Sequence, residues 1–161
     1  MTTNPPPTLN GATLRVIAQS LGLHRAQDLA DLLDRNERTV KRWFTDERPI
    51  SPDVVATVRG WQREMSEHVN AALDQVDTEA GTGEHEFVFT RFPNVTTLRV
   101  HHPKPCILTY STETWDAYLG RVVAALDDQG ITYRIHTTGR TAETAAAAVI
   151  RRQDTRTRGR L

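Results

Sequence analysis

Residues 28–50 read DLADLLDRNERTVKRWFTDERPI. Leu29, Ala30, Leu32 and Leu33 recur at the spacing of one helical face, which predicts a helix over Ala26–Leu33. Asn36 is a strong helix N-cap, because its side-chain oxygen can accept a backbone N–H of the first turn. A second helix is therefore expected over Glu37–Phe44, with Val40 and Trp43 turned inward. Positions three and four apart share a helix face, so Arg38, Lys41 and Arg42 stand together on the other side. Only Asp34, Arg35 and Asn36 separate the two helices.

The neighbouring segments extend this pattern. Leu14, Ile17 and Leu21 predict a helix over residues 13–21, closed by Gly22. Residues 46–49 form a turn. Ser51-Pro52-Asp53 then opens a fourth helix, with a capping hydroxyl, a proline at the first helical position and an acid in the first turn. Its inner face carries Val54, Val55, Val58, Trp61 and Met65, and it is expected to reach Val69 or Val76. Residues 1–9, rich in Pro, Thr and Asn, are expected to lack structure.

Past residue 76 the composition changes. The stretch DTEAGTG at 77–83 has the make-up of a linker. Residues 86–92 and 95–101 alternate Val, Phe and Thr and read as two strands joined by a Pro-Asn turn; residues 106–110 read as a third. Ser111 or Thr112 caps a helix over residues 113–129. Trp115, Tyr118, Leu119, Val122, Val123 and Leu126 form one wide apolar stripe on it. Gly130 closes this helix, and residues 131–137 form a last strand. An alanine-rich run at 141–152 suggests a loose helix, and Arg151, Arg152, Arg156, Arg158 and Arg160 crowd the end. The expected fold class is α+β. An all-α unit of four or five helices spans 11–76, after an unstructured 1–10. A linker over 77–85, a small βββαβ unit over 86–138 and a tail over 139–161 follow. The apolar stripe is broader than so small a sheet needs, which marks it as core and dimer surface together.

Composition narrows the function. The chain has 161 residues, one cysteine (Cys106) and no formal net charge. A disulfide within the chain is impossible, which fits a reducing compartment. The first residues have neither the apolar stretch nor the basic flank of a targeting peptide, and no apolar run reaches the ~20 residues of a membrane span. A cytoplasmic protein is expected. Charge is segregated: Lys and Arg number nine against twelve acids over residues 1–80, and eleven against eight over 81–161. Within residues 35–48 there are five basic and three acidic side chains. Local basic faces on a neutral chain suit a binder that avoids indiscriminate attachment to DNA. No carboxylate pair, nucleophile–base arrangement or phosphate-cradling glycine loop supports an enzyme or a cofactor. His85, His101, His102, His136 and Cys106 lack the paired spacing of metal ligands, so no metal is expected. Cys106 is expected as a buried small apolar residue.

Two short helices with a basic outer face form a unit suited to B-form DNA, whose major groove admits one α-helix. In a helix-turn-helix the second helix enters the groove and the first braces it across the backbone. Arg38, Lys41 and Arg42, with Glu37, can reach base edges; Asn36 and Thr39 suit phosphates. Arg48, in the turn that follows, joins the expected DNA-binding set.

The stretch resembles the Cro/repressor-type (XRE-like) helix-turn-helix regulators. The likeness rests on Leu29-Ala30 with Leu33, on Arg38-Thr39-Val40 with Arg42-Trp43, and on Arg48-Pro49. The run RTVKRW followed by RPISPDV is similar to a subgroup that includes the autorepressors of phage anti-CRISPR operons. In that subgroup a small α+β dimerisation domain follows, and TWDAYLGRVVAALDDQGITYRIH has its look. The resemblance implies a homodimeric repressor bound to an inverted repeat, with residues 36–44 in the major groove, and adds Gln27 to the DNA-binding residues. Other readings are an antitoxin-like module that binds DNA only with a protein partner, and added RNA binding through the same basic face. This chain departs from the family in four places. Ala26 stands where the family usually has a phosphate-clamping glutamine, with Gln27 beside it. Phe44 replaces an acid, Asp46 replaces a turn glycine, and the turn of Asp34, Arg35 and Asn36 lacks its usual glycine.

Overall fold

The computed structural model describes residues 9–80 and 86–138. Six α-helices and two strands follow in the order α1 Gly11–Ser20, α2 Ala26–Leu33, α3 Glu37–Phe44, α4 Pro52–Ala80, β1 Phe87–Arg91, α5 Val95–His101, α6 Thr112–Gln129 and β2 Tyr133–Thr137. The chain is a mixed α+β protein, mostly helical. It divides into two compact units with a boundary between Asn70 and Ala71, inside α4. No helix among the described residues is long and apolar enough to cross a membrane.

In the first unit α3 packs against both α1 and α2. Leu14, Ile17 and Ala18 of α1, Leu29 and Ala30 of α2, and Val40 and Trp43 of α3 are buried, with Leu21, Leu23, Val54 and Val58. Asn10 caps α1 by accepting the Thr13 N–H at 2.8 Å, so the helix begins two residues before the apolar spacing suggests. Leu9, at the edge of the stretch expected to lack structure, is buried. Gly11 is the point of closest approach. A Cβ at that position would run into the Trp43 carbonyl oxygen and lie 2.7 Å from the Phe44 carbonyl carbon. Only a glycine lets α1 lie against the end of α3.

The second unit departs from the expected βββαβ order. Residues 95–101, read as a strand, form α5. The alternation of Val and Thr is overridden by Asn94, whose side chain accepts the Thr97 N–H at 2.8 Å, and by the inward face of Val95 and Leu98, half-buried and buried three positions apart while Val100 is exposed. Residues 106–110, also read as a strand, hold one 3-10 turn, Ile107–Thr109. There the Thr109 hydroxyl accepts the Cys106 N–H at 3.1 Å and closes the turn on itself. The two remaining strands pair in parallel, Phe87 opposite Tyr133 through Arg91 opposite Thr137. A parallel pair needs a crossover, and residues 92–132 supply it. Helix α6 starts behind Ser111, which accepts the Thr114 N–H, and ends at Gly130 with φ of 68°. Residues 77–80, expected as the start of a linker, are the last turn of α4. The rest of that linker, most of the N-terminal stretch, the alanine-rich run and the arginine-rich end lie outside the described residues.

Candidate nucleic-acid interface

The bracing helix α2 is fixed at its start by Asp28. Its carboxylate accepts the Arg25 backbone N–H at 3.0 Å and the Arg25 guanidinium at 2.6 Å. Partial burial pushes the Asp28 carboxyl up, but the hydrogen bonds and charge of Arg25 outweigh it and hold it below its ordinary value. Helix α2 ends at Asp34, which adopts a left-handed conformation with φ of 51°. A non-glycine residue pays for this geometry, and aspartate is among the few that tolerate it. Asn36 then starts α3 by accepting the Arg38 N–H at 2.8 Å.

Helix α3 turns at about 100° per residue. Val40 and Trp43 point into the core, with Phe44 half-buried beside them. Arg38, Lys41 and Arg42 fall on the opposite arc, about 100° wide, and all three are exposed. Lys41 pairs with Glu37 at 2.9 Å. No ion pair or hydrogen bond engages the side chains of Arg38, Arg42 or Arg48 among the described residues. Both members of the Lys41–Glu37 pair are substantially exposed, so it contributes little to stability and is readily exchanged for another anion.

The remaining expected residues are placed less directly. Thr39 is half-buried, with its backbone N–H bonded to the Asn36 carbonyl at 2.9 Å. Gln27 is exposed on α2, donating to Asp31 at 2.5 Å. Two further cations border α3 that the apolar pattern alone did not single out. Arg15 of α1 lies over the Phe44 ring, 5.5 Å from its centre. Arg35 in the turn reaches Asp53 at 3.3 Å. The hydrogen bond from Ser51, then the charge of Arg35 among lesser causes, holds the Asp53 carboxyl below its ordinary value. Asp46, in the turn that follows α3, has φ of 58°, and its carboxylate accepts the Gly11 N–H at 2.6 Å.

In the other unit, four residues of the expected dimer stripe are buried: Trp115, Leu119, Val122 and Leu126. These serve as core. Tyr118 and Val123 remain half-buried. Trp115 donates its indole N–H to the Thr90 carbonyl at 2.9 Å and sits against Phe92 and His102. His101 and His102 lie at the end of α5 rather than on a strand, and both rings flank Phe92. Cys106 is a half-buried free thiol, less covered than expected. No family model matches the chain, and no curated protein matches it.

Proposed function

We propose that the protein is a sequence-specific DNA-binding transcriptional repressor of the Cro/repressor type, acting on its own operon. The observation that carries this reading is the outer arc of α3. Arg38, Lys41 and Arg42 share it, opposite Val40 and Trp43, on a helix braced by α1 and α2. A helix presented this way has the width and charge to enter a major groove, with Asn36 and its first-turn amides beside a phosphate. One such helix provides few cations on a chain with no net charge. Two copies, each reading one half of an inverted repeat, supply the missing affinity, with half-site centres ~34 Å apart or a simple multiple. The homodimer, formed through the α+β unit, is part of the proposal.

The test is a gel shift with the DNA upstream of the gene, over a salt series. Arg38→Ala with Arg42→Ala should abolish preference for that DNA over a scrambled duplex, since one bidentate contact to guanine contributes ~1–3 kcal/mol of discrimination. Preference retained by the double variant overturns the assignment. A chain that sediments as a monomer at micromolar concentration overturns the dimer.

A further inference from the structure

The outer face of α3 carries one acid among its cations. Glu37 is the only acidic residue of the helix, and Lys41, one turn on, holds it at 2.9 Å. At about 100° per residue Glu37 lies ~40° beyond Lys41, on the border of the arc that Arg38 and Arg42 complete. The Glu37 side chain is 40% exposed and that of Lys41 63%, so the core needs neither. An exposed pair of this kind adds little to the stability of the helix. With α3 in a major groove, the Glu37 carboxylate approaches a polyanion. It is favourable there only where it accepts a hydrogen bond. The groove restricts the choice. Its base edges offer two donors, N4 of cytosine and N6 of adenine, and the other polar atoms are acceptors. Glu37 must face a donor, and Lys41 an acceptor next to it. In a G·C pair guanine O6 and cytosine N4 are hydrogen-bonded to each other, so their separation matches that of the Lys41 and Glu37 head groups. Guanine N7, a second acceptor, stands on the lysine side. An A·T pair offers adenine N6 beside thymine O4, but there adenine N7 repels the carboxylate and the thymine methyl meets the ammonium.

We infer that Glu37 and Lys41 act as one unit that reads a single G·C pair in each half-site: Lys41 donates to guanine O6 and N7, and Glu37 accepts from cytosine N4. The inference rests on the reading of α3 as a DNA-binding helix and names what one part of it recognises. The two side chains give up their bond to each other for bonds to a base pair with the same order of donor and acceptor. At every other base pair an acceptor stands beside the donor or in its place. The carboxylate is then repelled, so Glu37 discriminates by repulsion as well as by contact. Arg38 and Arg42 remain free for guanine or phosphate on the other side of the arc.

The test is selection from a pool of random duplexes by the full-length chain, with sequencing of the bound fraction. The wild type should enrich a site with a fixed G·C pair in each half. Glu37→Gln keeps the length of the side chain but presents an amide, which suits adenine N6 and N7; preference for that G·C pair should fall about tenfold, with A·T gaining. Glu37→Lys with Lys41→Glu keeps an ion pair of the same spacing and reverses its order. It should turn the selected pair to C·G and leave the other positions as they were. A role confined to helix stability would survive this exchange with the site unaltered. A wild type that enriches no sequence overturns the reading of α3 and this inference with it. A wild type that enriches a site, with the same preferences kept by Glu37→Gln and by the exchanged variant, overturns this inference alone. A fixed A·T pair that responds to Glu37→Gln overturns G·C as the pair read.

Discussion

The two units differ in what holds their backbone in place. In the first, nearly every decision is local: Asn10 and Asn36 cap α1 and α3, Asp28 ties the start of α2, and buried residues keep the 3.6-residue period. In the second, a parallel pair joins strands 46 positions apart, and the crossover between them is short helix, turn and long helix. Local patterns reach the first kind of structure and miss the second. The bounds of α2 and α3 were readable from apolar spacing and one cap. The nature of residues 95–101 was not, because Val, Thr and Thr favour a strand when no neighbour is known. Asn94 was the available signal, an N-cap read as a turn residue.

The largest expected effect tests how far the basic arc of α3 depends on what lies behind it. Trp43 is buried between α1 and the rest of the first unit's core, and Trp43→Ala should cost ~3–5 kcal/mol. Chemical denaturation followed by circular dichroism measures it. A loss below ~1 kcal/mol would mean that α3 stands without its core anchor and that the first unit is no more locally determined than the second.

The two left-handed aspartates separate strain from contact. Asp34 and Asp46 both adopt the conformation that glycine takes at no steric cost. Among the described residues the Asp34 side chain makes no bond across the unit, so Asp34→Gly should stabilise by up to ~1 kcal/mol. Asp46 accepts the Gly11 N–H, and Asp46→Gly trades the same relief against that bond. It should be neutral or destabilising by ~1 kcal/mol. The difference between the two variants is the measured quantity; equal shifts would remove the role given to the Asp46–Gly11 contact. The resemblance made both positions conspicuous, yet composition alone does not reveal that aspartate fills them in the glycine conformation.

Acid sharpens the account of α2. The Asp28 carboxyl is held below its ordinary value in the folded chain. Its contribution is therefore full above the ordinary carboxylate range, ~3.9, and is lost as pH falls through the lower folded value. Asp28→Asn should be less stable than the wild type near pH 7, and the gap should close on acidification. A gap that stays constant with pH would show that the Arg25 contacts do not favour the charged form.

The smallest effect decides the sharpest disagreement between the two regions. Thr96 is exposed near the start of α5. Threonine disfavours a helix relative to alanine by ~0.5 kcal/mol and favours a strand by a similar margin. Thr96→Ala removes no buried contact, so its sign reports the local backbone state. The helix requires a stabilisation of a few tenths of a kcal/mol. A strand at residues 95–101 requires the opposite sign. A second variant fixes the scale, because Asn94→Ala removes the oxygen that accepts the Thr97 N–H and should destabilise by ~1 kcal/mol only if a helix starts there. If both substitutions shift stability in the strand direction, the crossover between β1 and β2 is lost, and with it their parallel pairing.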